Sequence, residues 1–208
     1  MKGVVMRTTP FAAIAAIFSG MLFLGCAATQ STVPVSDPAK PLEVGRFSFL
    51  APPGEGWEYL RISAPPVESV LFMKRGAVKP QGFIAAVSQV RTDNPVTSEK
   101  ELSDKILQIY HEEVDTEGRY EILASKCDHD ETFSKMGVLC FGEVKDHPMT
   151  GMEPVEPIII RGHGYAFAHP DDNRIVGVVE FYERGLSERL SADTRTMLGE
   201  FARGITLR

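Results

Sequence analysis

Short segments with strand-like sequence fill most of residues 46–183, and this pattern constrains the fold more than any other feature of the chain. The segments are rich in β-branched and aromatic residues and are separated by breaks rich in Gly, Pro, Asp or Asn. They cover residues 46–50, 57–63, 68–75, 82–91, 120–126, 138–145, 158–169 and 174–183. Because most of the connections are short, these strands are expected to pair mainly in antiparallel order.

Two segments instead have helical periodicity. Ser98 and Glu101 form a capping-box pattern, which predicts the start of a helix at this point. Its apolar face is made by Leu102, Ile106, Ile109 and Tyr110. A second helix is predicted over about 192–203, with Ser191 as its N-cap. Together, the strands and helices predict an α+β domain, a mainly antiparallel sheet with two principal helices packed on it.

The composition excludes several classes of protein. The chain has 208 residues, 43% of them hydrophobic and 24% charged, which is typical of a globular domain rather than a disordered, collagen-like or multi-span membrane protein. Its formal net charge of −6 argues against nucleic acid as a partner, because such binding depends on neutralising phosphates with Lys and Arg.

The N-terminus has the pattern of an export signal. Lys2 and Arg7 precede the uncharged run 11–24, and residues 1–25 contain no Asp or Glu. A helix of that run would reach only about 21 Å, short of a hydrocarbon core of about 30 Å. A short apolar run after a basic start therefore favours a signal peptide over the alternative, an uncleaved membrane anchor.

The residues that follow, Leu22-Phe23-Leu24-Gly25-Cys26, resemble the lipobox of bacterial lipoproteins. The resemblance implies cleavage before Cys26, lipidation of Cys26 and attachment to the membrane through several acyl chains. Ala27 after the cysteine resembles lipoproteins sent to the outer membrane, where the host has two membranes. The expected organisation is a signal peptide over 1–25, a lipidated Pro-rich tether over 26–43 and one domain over 44–208.

The start of the domain resembles the PsbP-type fold. The residues that carry the resemblance are Phe47, Phe49, Pro53, Gly54 and Trp57, a hydrophobic strand that runs into a Pro-Gly turn and a Trp. Members of that family include photosystem accessory proteins and a Ran-binding factor. The resemblance therefore implies a sandwich of sheet and helices, and a binding or accessory role rather than an enzymatic one.

Two cysteines remain once Cys26 is assigned to lipid. Cys127 and Cys140 flank a predicted hairpin connection and face each other if paired residue numbers sum to 267. An exported protein meets an oxidising compartment, so a disulfide between them is expected. Two free buried thiols are the alternative.

The hairpin of residues 158–169 and 174–183 gives the main candidate for a binding site. A two-residue loop at Asp171-Asp172 would pair residues whose numbers sum to 343. Arg161, His163, Tyr165, Glu180 and Tyr182 would then share one face, with His163 opposite Glu180. Such a face could bind an anionic or aromatic ligand, and a His–Glu pair could exchange protons. The alternative is ordinary cross-strand charge pairing on a solvated face, and a three-residue loop would separate His163 from Glu180.

No other motif indicates chemistry. Residues 128–131 combine a His with carboxylates but lack the spacing of a calcium loop, so no metal site is predicted. The chain has no dinucleotide fingerprint, phosphate loop or nucleophile elbow, so no cofactor is predicted.

These observations favour a lipid-anchored protein of the cell envelope, held to the membrane by its N-terminal lipid, that is not an enzyme and binds a protein partner or a small ligand. One alternative is a periplasmic enzyme, hydrolase-like, with dispersed active-site residues including His163 and Glu180. Another is a structural lipoprotein without a discrete ligand site.

Overall fold

The computed structural model describes residues 31–114, 119–147, 156–190 and 192–208. The predicted signal peptide, the lipidation site Cys26 and the predicted cap Ser191 lie outside these ranges. None of the helices within them has the length and apolar character needed to cross a membrane.

The described residues form eleven strands. They are β1 (Val33–Pro34), β2 (Leu42–Val44), β3 (Phe47–Phe49), β4 (Glu58–Ala64), β5 (Val67–Arg75), β6 (Gly82–Arg91), β7 (Tyr120–His129), β8 (Gly137–Asp146), β9 (Ile158–His169), β10 (Asp172–Gly185) and β11 (Thr206–Leu207). Eight of them form one antiparallel sheet in the order β1-β4-β5-β6-β10-β9-β8-β7. The other three form a small sheet in the order β11-β3-β2.

Part of the predicted tether belongs to the folded unit. Val33 and Pro34 pair with the edge strand β4, and the Val35 N–H donates to the Trp57 carbonyl at 2.9 Å. Strand β2 pairs with β3. An extended Pro-rich segment can add to a sheet edge, where proline's missing N–H faces away from the ladder. The folded part therefore begins before residue 44.

The two helices, α1 (Glu99–Val114) and α2 (Thr194–Ala202), pack on opposite faces of the large sheet. The face under α1 carries Val138, Ala166 and Val178, whereas the face under α2 carries Phe167 and Phe181. The small sheet lies on the α2 side and contributes Phe47 and Phe49 to the same core. The α+β class and the mainly antiparallel sheet with two helices are confirmed.

Both helices begin with side-chain caps of the predicted kind, but some of the capping residues differ from those predicted. The Glu101 N–H donates to Ser98 Oγ at 3.1 Å, while the Glu101 carboxylate accepts from the Thr97 N–H at 3.0 Å, one residue earlier than a standard capping box. The N-cap of α2 is Asp193 rather than the predicted Ser191, and its carboxylate accepts from the Thr196 N–H at 3.1 Å. Asp193 lies one residue before the first helical residue, which is the position from which a cap can reach that N–H.

The β7–β8 hairpin confirms the predicted register and disulfide. Cys127 lies opposite Cys140, Ser125 opposite Gly142 and Asp128 opposite Leu139, so paired numbers sum to 267 from residue 124 to 129; beyond an irregularity at residue 123 they sum to 266. Cys127 and Cys140 are joined by a disulfide on the face that α1 covers.

The predicted register of the β9–β10 hairpin is wrong by one residue. His169 pairs with Asp172, but the next pair is Ala168 with Val176, so three residues of β10 have no partner on β9. The carbonyls of two of them, Asn173 and Arg174, accept the N–H groups of Val96 and Thr92, each at 2.8 Å. This irregularity makes paired numbers sum to 344, and a shift of one residue moves a side chain to the other face.

Candidate functional site

The register divides the predicted site between the two faces of the sheet. His163 faces Phe181, and Arg161 faces Glu183, whereas Glu180 faces Gly164 and Tyr182 faces Gly162. Arg161, His163 and Tyr165 therefore lie on the α2 side, and Glu180 and Tyr182 lie on the α1 side. The predicted His163–Glu180 pair is not formed, because the backbone of the sheet separates the two side chains.

Arg161 has a structural partner on the α2 side. Its guanidinium lies 3.7 Å from Glu183 Oε2, and Glu183 is fully buried. The Glu183 carboxylate also accepts from Gln81 Nε2 at 2.9 Å and from the Ala192 N–H at 3.0 Å. The cluster joins β10 to the segment that enters α2, and hydrogen bonds of this kind offset the cost of burying the carboxylate.

His163 contacts the first turn of α2. Its Nδ1 lies 2.9 Å from the hydroxyl oxygen of Thr194, and its ring packs 5.0 Å from that of Phe141, centroid to centroid. Burial lowers the pKa of His163 below its ordinary value, and the nearby cation Arg195 adds to this effect. A neutral imidazole with these two neighbours positions α2 on the sheet.

Tyr165 is the one predicted site residue that lines an open groove. The groove runs between β9, the β7–β8 loop, α2 and the C-terminal strand β11, with a volume of about 380 Å³. Its apolar walls are Phe133, Tyr165, Ala202, Ile205 and Leu207. Four of these are only partly buried, so a set of large apolar side chains meets solvent at one concave surface. The volume lies within the range of about 300–1,000 Å³ that is usual for small-molecule sites.

One residue in α2 and one directly after it give the groove its width and its charge. Gly199 lies in the helix interior, and a Cβ added there would meet no heavy atom within 4 Å, so the glycine leaves space on the groove side. Arg203 directly follows the helix and also lines the groove. Thr132, in the β7–β8 loop, also lines the groove.

The α1 side is closed in comparison. Glu180 and Tyr182 are 1% and 4% exposed, and the Tyr182 hydroxyl donates to Glu180 Oε1 at 2.9 Å. Burial raises the pKa of Glu180 to about 8, in opposition to the hydrogen bond from Tyr182. Within the described ranges, the second carboxyl oxygen, Oε2, has no hydrogen-bond partner.

Glycines on β8 and β9 make room for the buried side chains of this face. A Cβ at Gly164 would lie 3.2 Å from Glu180 Cγ, and one at Gly142 would lie 2.7 Å from the Tyr110 hydroxyl. The nearby cavity under α1, lined partly by Tyr110 and Tyr182, has a volume of about 10 Å³. That is room for about one water molecule, so this cavity has no space for a larger ligand.

Metal ligands do not converge anywhere in the described ranges: no group of three or more His, Cys, Asp or Glu side chains is placed to hold an ion. In the acidic turn at 128–131, Asp128 pairs with Lys126 at 2.9 Å and Glu131 lies 3.2 Å from His129. These contacts are those of an exposed hairpin loop.

The sequence patterns missed most of the groove. The lining comes from three separate stretches of chain, 132–133, 165 and 199–207, that no short motif connects. Gly199 gave the one usable signal, because a glycine inside a predicted helix is costly and often has a packing or functional reason. The position of Leu207 could not be inferred, since it depends on the pairing of β11 with β3.

Comparisons with known proteins give similarity at the level of structure alone. No protein-family model matches the chain, and no curated protein matches it in sequence. Among solved structures, the Ran-binding protein Mog1p of Saccharomyces cerevisiae matches 81% of this chain and 94% of its own, with 13% identity and a TM-score of 0.46. LpqN, which is involved in cell envelope biogenesis of Mycobacterium tuberculosis, matches 85% of this chain and 89% of its own, with 13% identity and a TM-score of 0.42. At these scores the α+β class rests on the strand order and layers described above.

Proposed function

We propose that this chain is a lipid-anchored protein of the cell envelope, on the outer membrane where the host has two, whose α+β domain is a binding module rather than an enzyme. The lipobox-like sequence ending at Cys26 supports the anchor. The groove beside Tyr165 supports the binding role, and it is the observation on which that role depends.

The groove has the features expected of a binding site. It is concave, most of its lining residues are aromatic or aliphatic, and Thr132 and Arg203 are the polar residues among them. Such sites obtain affinity from apolar contact and orientation from a few polar groups. The enzymatic alternative, with dispersed active-site residues, named His163 and Glu180 as candidates, and the sheet separates these two side chains.

Fractionation of cells that express the full chain tests the anchor. We expect the wild type in the membrane fraction and the Cys26→Ser variant in the soluble fraction, because the variant has no thiol to lipidate. Cys140→Ser is the matched control, since it removes a cysteine and keeps the lipidation site. Membrane association of Cys26→Ser equal to that of wild type would overturn the proposed anchor.

Solvent extraction of protein purified from its native envelope tests the binding role. We expect mass spectrometry to find a small molecule with the wild type but not with Gly199→Leu, whose larger side chain would fill the groove. Equal recovery from the wild type and Gly199→Leu, or no bound molecule in either, would contradict a binding role for the groove.

A further inference from the structure

The groove is lined by one charged residue, and its charge is positive. Among the residues that line it, Arg203 is the only one with a formal charge, in a chain whose net charge is −6. Arg203 forms an ion pair with Glu200, in which the guanidinium lies 3.8 Å from Glu200 Oε1. The Arg203 side chain is 76% exposed and the Glu200 side chain is 46% exposed. An ion pair this exposed and this long contributes little, so the guanidinium can exchange Glu200 for another anion.

We propose that the groove binds a small molecule with an apolar body and a single carboxylate, and that Arg203 holds the carboxylate. This inference rests on the proposed binding function and specifies its ligand class. The planar guanidinium matches the two oxygens of a carboxylate in geometry and charge. The ligand could be an acyl chain with a terminal carboxylate or an aromatic acid, which share this chemistry.

The apolar part of the groove is arranged to receive such a body. Phe133 stacks on the buried Phe167 with ring centroids 4.5 Å apart and planes at 21°, so the Phe133 ring has a fixed support. Tyr165 meets Phe133 edge to face at 5.5 Å. Ile205 and Leu207 lie along the same groove. These side chains present apolar surface to solvent, and covering it with an apolar ligand is favourable.

Gly199 provides a second, independent indication that the groove has a function. Glycine in a helix interior is less stable than alanine by about 0.8–1.0 kcal/mol. No steric reason requires glycine here, because a Cβ would meet nothing within 4 Å. A residue that breaks a local stability rule without a packing cause marks a position where function sets the choice.

Equilibrium dialysis of the full chain in lipid nanodiscs, with empty nanodiscs as the blank, tests the proposal. The probes are decanoate and 2-naphthoate, each compared with its neutral amide. We expect at least one acid to bind and its amide to bind about fivefold more weakly, which corresponds to an exposed ion pair of about 1 kcal/mol. We expect binding of the acid to fall with added salt, unlike binding of the amide.

Variants separate the two halves of the site. Arg203→Gln should weaken binding of the acid about fivefold and leave the amide unchanged, whereas Arg195→Gln, on the same helix but outside the groove lining, should change neither. Gly199→Leu should reduce binding of both acid and amide by more than about tenfold if the ligand must occupy this space.

Equal binding of acid and amide, or loss of the acid in Arg195→Gln but not in Arg203→Gln, would overturn the role of Arg203. Failure of both acids to bind would overturn the ligand class. The proposed binding function would survive that failure if a molecule still co-purified with the wild type and not with Gly199→Leu, and it would fall only if no such molecule were found.

Discussion

The two faces of the β9–β10 hairpin differ in how much space they leave. On the α1 face, Glu180 and Tyr182 fill hollows left by Gly162 and Gly164, and the nearby cavity holds about one water. On the α2 face, Tyr165 borders a groove of about 380 Å³. Alternate residues of the same strands thus line a closely packed layer on one side and an open groove on the other.

The comparison shows that chemical character alone does not identify a site. Glu180 has the perturbed acidity that often marks a functional residue, yet it lies in the closed layer. Tyr165 is chemically ordinary, but it lies where a ligand could reach it.

The largest expected effect is a difference in the free energy of unfolding between matched substitutions on the two faces. Tyr182→Ala should lower the free energy of unfolding by about 4 kcal/mol, because it opens a cavity and removes the hydrogen bond to Glu180. Tyr165→Ala, the matched change on the open face, should cost about 1–2 kcal/mol because its side chain is only partly buried. Urea denaturation of both variants measures the difference, and equal costs would contradict the contrast between the faces.

The next effect is a dependence on pH from Glu180. The folded chain holds the carboxyl proton up to about pH 8, whereas the unfolded chain loses it near its ordinary pKa of 4.5. The contribution of Glu180 to the free energy of unfolding is therefore fully present below about pH 4.5 and is lost as the pH rises toward 8.

Glu180→Gln should remove this dependence, with a gain relative to wild type on the order of 3 kcal/mol at neutral pH and little gain under acidic conditions. The glutamine oxygen can still accept from Tyr182. Denaturation across the pH range measures the difference between the two proteins, and a difference that stays constant with pH would contradict a buried, protonated Glu180.

Removing the disulfide, which lies on the closed face, is expected to lower stability by a similar amount. Cys140→Ser should lower the free energy of unfolding by about 3 kcal/mol, the value that the chain-entropy model gives for a loop of about this size. A change in electrophoretic mobility on reduction, present in the wild type and absent in the variant, checks that the bond forms in the exported protein. Identical mobility with and without reductant would show that it does not.

The smallest effect has the opposite sign and concerns the open face. Gly199→Ala should raise the free energy of unfolding by about 0.5–1 kcal/mol, because alanine is the better helix former and the added methyl meets open space. Thermal denaturation of the two proteins gives the sign. Destabilisation by alanine would mean that Gly199 is required by packing, and it would remove one of the two supports for the ligand site.

Local patterns predicted the elements well because each strand and helix carries its own signal. The predicted segment 82–91 agrees with β6, and 158–169 agrees with β9. The β7–β8 register was predictable because pairing Cys127 with Cys140 fixes it, and the structure joins these two residues by a disulfide. The β9–β10 register was not, since it depends on hydrogen bonds from Thr92 and Val96, which are about eighty residues away in sequence. That one irregularity moved Glu180 and Tyr182 out of the candidate site, and the groove that replaced it is built from three distant stretches.

Methyl NMR of the full chain in nanodiscs, titrated with decanoate, tests most directly whether the open face is the binding face. Ile205 and Leu207 report on the groove, whereas Leu71 and Ile160 report on the face that carries Tyr182. We expect saturable shifts at Ile205 and Leu207 and none at Leu71 and Ile160, with the groove shifts absent in Gly199→Leu. Saturable shifts at Leu71 and Ile160, with Ile205 and Leu207 unchanged, would contradict the account.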